Sequence, residues 1–314
     1  MTQGVAPAVQ RVRIDEGDAG QRIDNYLLKV CKGVPKSHVY RILRSGEVRV
    51  NGGRVAPTYR LADGDEVRIP PVRIAQRDYT APVPAGVALP VVYEDEFIVV
   101  VNKPAGKAVH GGSGVSYGII EQLRAQRPDA RMLELAHRLD RETSGLLIIA
   151  KKRSALKALH DMQRAGSIEK HYLTLVAGQW KNRLQHVKLP LFKYLAADGE
   201  RRVRVSEEGK PSHSIVRLVK GYGRFSLLEV ELKTGRTHQI RVHLTHLGFP
   251  LAGDDKYGDF ALNKSLEAEG LKRMFLHAAR LRFAHPLSGE MLELEVPLPA
   301  ELRDFLALLA PEAQ

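Results

Sequence analysis

Residues Ala136–Lys151 read "AHRLDRETSGLLIIAK". The first half is polar, with Asp140 between Arg138 and Arg141. The second half is an apolar run, "GLLIIA", entered through a Ser144-Gly145 turn signal. A short apolar run bounded by turn residues predicts a buried strand. Asp140 is therefore expected at the lip of that strand. Most loop aspartates flanked by arginines are only neutralised charges. A carboxylate held by a guanidinium, however, has a lowered pKa and can serve as a nucleophile or a base.

Outward from this stretch, residues beyond Pro90 alternate strand-like and helical segments. "VVYEDEFIVVVNKPAG", "KHYLTLVAGQW", "SIVRLVKGY", "FSLLEVELKTG", "ARLRFAHP" and "MLELEVPLP" read as strands. "YGIIEQLRAQR", "RSALKALHDMQRAG", "RTHQIRVHLTHLG" and "AELRDFLALLA" have helical spacing. The pattern predicts an α+β fold with a mixed, mostly antiparallel sheet and flanking helices. In front lies a smaller unit, about residues 11–75, of two short helices and a small sheet. "QRIDNYLLKVC" and "KSHVYRILRSG" are its helices, the second with Ser37 as expected N-cap and Gly46 as its stop. "EVRVNGGRV" carries an Asn51-Gly52 turn signal and "DEVRIPPV" alternates as a strand. Residues 76–89 are rich in Ala, Pro and Gly and read as a linker, leaving 90–312 for the second unit. Residues 1–10 read as a loose tail.

The formal net charge is +12, which favours a polyanionic partner such as nucleic acid. The front unit holds 13 basic and 8 acidic side chains, a net +5 over residues 11–75. Lys36, Arg41, Arg44, Arg49 and Arg54 crowd its second helix and hairpin, as a phosphate-tracking surface would. Cys31 is the single cysteine, which excludes an internal disulfide and a thiolate metal cluster. His238, His243 and His246 lack a metal-ligand spacing, and "HGGSGVSYG" matches neither a P-loop nor a dinucleotide fingerprint. That Gly-rich stretch reads as a turn into a helix beginning near Tyr117. No apolar run reaches membrane length and no signal-peptide core opens the chain, so a soluble cytoplasmic protein is expected.

"HRLDRETSGLLIIAKK" closely resembles the signature of the pseudouridine synthases that modify ribosomal large-subunit and transfer RNA. "VVNKPAGKAVHGG" is similar to that family's first motif and "TGRTHQIRVHLTHLGFPLAGDDKYG" to its third. The front unit resembles the alpha-L RNA-binding domain first described in a ribosomal small-subunit protein. "GVPKS", "YRILRSGEVRVN" and "AVHGGSGVSYGIIEQLRA" carry a closer likeness, to the type C subgroup of the synthases that act on the ribosomal large subunit. Glu142 stands where members often have Asp, beside an unaltered Asp140.

The resemblance implies a reaction. The uridine glycosidic bond breaks, the uracil turns, and the base rejoins the ribose through carbon 5. No atom is gained or lost, so the chemistry requires no cofactor or metal. The motif assigns the working carboxylate to Asp140; attack on the ribose, addition to the base and removal of a ribose proton all stay open. By motif position Arg241 would pair with Asp140 and keep it ionised. Tyr172 would stack on the uracil. Arg138 would fill the stack that a flipped-out base vacates. Lys103 and Pro104 would shape the pocket wall, with a structural role as the alternative; His137 reads as structural. The implied partner is 23S ribosomal RNA or a large-subunit assembly intermediate, acted on by a monomer with no obligate protein partner. Two other readings compete: a non-enzymatic RNA-binding or assembly factor, and a synthase acting on transfer RNA.

Overall fold

The computed structural model describes residues 8–31, 34–72, 89–111, 117–197 and 199–309. The chain divides into two compact units, Met1–Ala85 and Gly86–Gln314. The expected linker falls almost wholly outside the described residues, as does the middle of the Gly-rich stretch.

The first unit runs β1 (Gln10–Arg13), α1 (Ile23–Val30), α2 (Lys36–Arg44), β2 (Arg49–Val50) and β3 (Glu66–Ile69), with strand order β1-β3-β2. The helices form because Ile23, Tyr26, Leu27, Val39, Ile42 and Leu43 fall on facing stripes and bury together against Val67 and Ile69. Ser37 does not cap α2: the N-cap is Pro35, whose fixed backbone starts the helix two residues earlier than a Ser37 cap requires. Gly46 follows the helix at φ 73. Gln10 and Arg11, expected in or beside a tail, pair with Ile69 and Arg68 in β1. Lys36, Arg41, Arg44 and Arg54 are exposed and Arg49 is half-buried.

The second unit continues with β4 (Val91–Glu94), β5 (Ile98–Lys103), α3 (Ile119–Gln126), β6 (Glu134–Leu135), β7 (Ser144–Ala150) and α4 (Arg153–Ala165). Next come β8 (Glu169–Ala177), β9 (Leu184–Val187), β10 (Leu191–Leu195), β11 (Arg201–Val205), β12 (Ser214–Tyr222) and β13 (Phe225–Leu232). It closes with α5 (Gln239–His246), α6 (Phe260–Ala268), β14 (Leu276–Ala284), β15 (Met291–Glu295) and α7 (Ala300–Leu308). The main sheet has order β4-β5-β7-β14-β8-β13-β12-β9, with β15 on β14 and β6 on β7. Among the described residues every pairing of that sheet is antiparallel except β7 with β14. The fold is thus mixed α+β with a mostly antiparallel sheet. The β10–β11 hairpin, β9 and α6 lie beyond the sequence expectations. Asp259, which accepts the Leu262 N–H at 3.0 Å, is the cap that could have announced α6.

β7 explains why the Asp140 turn is rigid. Leu147 and Ile149 enter one core, with Leu123, Tyr172 and Ile240. Leu146, Ile148 and Ala150 enter another, with Leu156, Leu159 and Phe283. All seven residues of the strand are buried. Each buried Leu or Ile contributes about 1.5–3 kcal/mol over leaving it exposed. Four of them anchor the strand well beyond the cost of ordering the turn that precedes it. β14 comes alongside at Gly145, whose φ of 110 sets it in a region that favours glycine. A Cβ at that position would meet Ala278 O at 2.2 Å. Gly145 is therefore what lets β14 pair with β7 right behind the turn.

Gly145→Ala should cost roughly 2–4 kcal/mol. Gly223→Ala, at φ 59 with open space around it, should cost only the roughly 1–2 kcal/mol of the left-handed backbone. Thermal unfolding of both full-length variants checks this; equal losses would refute the close-approach account.

Candidate active site

A cavity of about 510 Å³ opens between the Asp140 turn, β8 and the start of α5. Asp140, Arg138, Lys170, Tyr172, His238 and Arg241 are among its lining residues. Among the described residues Asp140 is the only carboxylate on that lining. A smaller cavity of about 360 Å³ adjoins it and shares Arg138, Asp140, His238 and Arg241.

The turn is held by two buried cations. Lys103, at the end of β5, donates from Nζ to the carbonyls of Pro104 (2.8 Å), Lys107 (2.8 Å) and Arg141 (3.0 Å). It thereby ties the first sequence motif to the Asp140 turn. Burial, helped by Arg273, pushes its ammonium down to about 7. Arg273 donates from Nη2 to Glu142 O (3.1 Å), Ser144 Oγ (2.9 Å) and Leu276 O (3.1 Å). Neither Lys103 nor Pro104 lines either cavity, in contrast to the pocket wall expected of them; Lys103 is fully buried and spends its three hydrogens on carbonyls. His137 accepts the Ile148 N–H at 3.1 Å, and burial pushes its imidazole down to about 3. It is a neutral fastener between the turn and β7.

The guanidinium beside Asp140 comes from a different element than its chain neighbours. Arg141 is exposed and donates from Nε to Gly106 O at 3.0 Å, and Arg138 is exposed on the cleft. Arg241, in the first turn of α5, donates from Nη1 to Asp140 Oδ2 at 3.2 Å. Its other edge donates to Asp254: Nε to Oδ2 at 2.7 Å and Nη2 to Oδ1 at 2.6 Å. Asp254 is completely buried, and its Oδ1 also accepts the N–H groups of Lys256 (2.9 Å) and Tyr257 (3.0 Å). Burial alone would lower the Arg241 guanidinium, but Asp254 and then Asp140 reverse this and raise it. For Asp254 burial works against ionisation, and the Arg241 bonds and backbone N–H groups outweigh it and hold the carboxyl low. The Tyr257 ring lies beneath the guanidinium at 5.1 Å.

Tyr172 is buried on β8 and lines the same cavity, its phenol pushed up by burial and by the Asp140 charge. So Asp140, Arg241, Tyr172 and Arg138 meet around one cleft, drawn from segments a hundred residues apart. Three residues of the site escaped the sequence reading. Lys170, two residues before Tyr172 and on the same face of β8, is half-buried; burial pushes its ammonium down to about 8. His238 precedes α5. Asp254 carried a signal, an acidic pair directly after the "PLAG" of the third motif, but nothing in one dimension says which of Asp254 and Asp255 turns inward. His243, from the histidine-rich stretch, is buried and bonds Ser212 Oγ (2.8 Å) and Ser214 Oγ (3.0 Å), away from the cleft. Among the described residues no group of three or more potential ligands could hold a metal ion, and no helix is long and apolar enough to cross a membrane.

Comparison with known proteins meets this geometry. The family model described as RNA pseudouridylate synthase matches residues 97–246, the part that builds the cleft, and the model described as S4 domain matches residues 21–67. The chain is 52% identical to the ribosomal large subunit pseudouridine synthase C of Yersinia pestis over 312 residues, covering 98% of both chains. It is 52% identical to the protein of that name from Escherichia coli K12, covering 96% of this chain and 97% of the other. Among solved structures, human RNA pseudouridylate synthase domain containing 1 superposes at a TM-score of 0.60 and 26% identity, covering 72% of this chain and 89% of that one. The chain belongs to the RNA pseudouridylate synthase family and carries an S4 domain in front.

Replacing Asp254 by Asn should destabilise the protein by about 3–5 kcal/mol, because Arg241 is left buried with half its charge unmatched. The pH dependence has a definite sign. Asp254 is held low in the folded state, so its contribution is complete above the unfolded value near ~3.9 and lost as pH falls through the folded value. Denaturant unfolding between pH 7 and pH 3 should show the gap between wild type and Asp254→Asn closing only in acid. A gap that is constant with pH would contradict this assignment.

Proposed function

We propose that this chain isomerises specific uridines of 23S ribosomal RNA to pseudouridine in the cytoplasm, acting as a monomer on the RNA or on a large-subunit assembly intermediate. The observation that carries the reading is the lone carboxylate of the larger cleft, Asp140, tethered to a buried Arg241–Asp254 pair. A carboxylate with no second acid on the wall of the larger cavity, where Glu142, Glu200 and Asp255 line only the adjoining one, suits a reaction that needs one nucleophile or base and returns every proton it takes. The 52% identical relatives, ribosomal large subunit pseudouridine synthases by name, support the substrate class.

Asp140 does the chemistry, and Arg241 pairs with its carboxylate and aims it. Tyr172 offers its face to the uracil, which must leave its stack to enter a cavity of this size. Arg138, exposed at the mouth, is placed to occupy the vacated stack. Lys103 and Pro104 act one layer back, by fixing the turn that presents Asp140. Residues 11–75 serve as the RNA-binding domain, 76–89 as linker and 90–312 as the catalytic domain. Lys36, Arg41, Arg44, Arg49 and Arg54 track phosphates on the first unit and so set register on a large RNA.

Pseudouridine mapping of ribosomal and transfer RNA from cells lacking the gene tests the substrate. Specific large-subunit sites should lose the modification, wild type should restore them and Asp140→Asn should not. Loss confined to transfer RNA would contradict the reading. Asp140→Asn should still bind the RNA, since it keeps shape and removes only the carboxylate.

The full chain carrying Lys36→Ala, Arg41→Ala and Arg44→Ala should bind large-subunit RNA more weakly. Its slope of log affinity against log salt should fall by roughly 0.7–0.9 for each lost phosphate contact. An unchanged slope would remove the first unit from RNA binding.

A further inference from the structure

His238 stands in the cleft on a strained backbone. Its φ of 52 and ψ of 24 lie in the left-handed region, immediately before α5. A non-glycine residue persists there only where its surroundings impose it, and such residues cluster at functional sites. Here the constraint acts on the imidazole. Nδ1 lies 2.8 Å from Tyr257 Oη, and the two rings meet edge to face at 5.5 Å. Tyr257 Oη accepts the Val203 N–H at 3.0 Å. Burial pushes the phenol up to about 12, so it keeps its proton. Among the described residues the acceptor bonded to that hydroxyl is His238 Nδ1. The hydrogen of the neutral ring then belongs to Nε2. Burial holds the ring below its ordinary range against the opposing pull of Asp140, so it is neutral at pH 7.

Nε2 points across the cleft at Asp140 Oδ1, 3.9 Å away. That is too long for a hydrogen bond. A single oxygen about 2.8 Å from each would close the gap, with an angle near 90° at the oxygen. One side offers an N–H and the other a carboxylate oxygen. The atom between them must accept from the first and donate to the second. A hydroxyl does both, whereas a base carbonyl only accepts and an amide N–H only donates. The uridine of the proposed reaction carries one hydroxyl next to the carbon whose bond is exchanged, the ribose 2′-OH.

We propose that His238 and Asp140 together read the 2′-hydroxyl of the target nucleotide, His238 donating to its oxygen and Asp140 accepting its hydrogen. The inference rests on the reading of this cleft as a uridine site. His238 becomes the residue that tells RNA from DNA at the reacting nucleotide. Tyr257 becomes a positioning residue that fixes which nitrogen of His238 carries the hydrogen, and the Val203 N–H makes that choice depend on the β10–β11 hairpin.

The test uses the full-length protein and two RNA fragments that differ at one mapped uridine, which carries either a 2′-hydroxyl or a 2′-hydrogen. Wild type should turn over the ribose form roughly 10- to 100-fold faster, the worth of a hydrogen bond to a charged group. His238→Ala should lose rate on the ribose form and little on the deoxy form, so the ratio falls toward one. His238→Gln places an amide N–H near the position of Nε2 and should recover part of the ratio. Tyr257→Phe should fall between wild type and His238→Ala. A role in folding alone would slow both substrates equally; an unchanged ratio in His238→Ala, or a wild type that ignores the hydroxyl, overturns the inference. Should no large-subunit RNA be turned over, the reading of the cleft fails separately. The hydroxyl site is then judged by affinity, comparing a uridine-containing single strand with its 2′-deoxyuridine counterpart. It stands if wild type prefers the ribose strand by more than His238→Ala does, and falls otherwise.

Discussion

One guanidinium holds two carboxylates by hydrogen bonds at two depths, with the exposed Asp255 a looser third at 3.5 Å. Arg241 gives two short hydrogen bonds to the fully buried Asp254 and one longer bond to the partly exposed Asp140. The inner pair removes the freedom of the arginine: with Nε and Nη2 spent, Nη1 can point only toward the cleft. An arginine held in this way presents charge to Asp140 without first having to be ordered. A lysine could not reproduce it, because a point charge lacks the planar fork that bridges two acids. The same pair explains the local sequence. α5 must be buried on nearly all sides, and residues 254–257 must turn tightly enough to aim two N–H groups at Asp254.

The turn that carries Asp140 is fixed by similar means. Lys103 and Arg273 are buried cations whose partners include the backbone carbonyls just after Asp140, at Arg141 and Glu142. Charged donors bind carbonyls more strongly than neutral ones, and a buried cation that lost them would be costly. Behind them β7 anchors the turn in two cores, and Gly145 lets β14 close against it. Asp140 is thus mobile by little more than its own side-chain rotations. On the proposed function, rigidity at Asp140 and a separate basic surface are a coherent division of work: the first unit would hold a large RNA while the second handles a single nucleotide.

Much of this is legible in one dimension. The apolar run after Ser144-Gly145 reads as a buried strand, and α1, α2, α3, α4, α5 and α7 follow from their spacing. Asp140, Tyr172 and Arg241 are picked out by motif. What one dimension hides is direction. Arg138 and Arg141 flank Asp140 in the chain, yet the guanidinium on its carboxylate comes from a residue a hundred positions away. Lys103 reads equally as a pocket residue or a structural one, and its bonds to the carbonyls of Pro104, Lys107 and Arg141 make it a buried tie. The β10–β11 hairpin buries only Leu191 and Val203, and the period-2 run "RVRV" of β11 is too short to stand out as a strand. His238 shows no signal at all, since a left-handed histidine looks like any other until its ring is seen against Tyr257.

The measurement that bears most directly on this account is single-turnover pseudouridine formation by Asp254→Asn, under conditions where the variant is folded, on RNA at saturating protein. Asp254 lines neither cavity of the cleft, so RNA affinity should stay near wild type. Loss of the inner pair frees Arg241, and the rate of the chemical step should fall by roughly 10- to 100-fold, a loss of about 1.4–2.8 kcal/mol of transition-state stabilisation. A folded Asp254→Asn enzyme that turns over at the wild-type rate would contradict the claim that the buried pair is what aims the charge at Asp140.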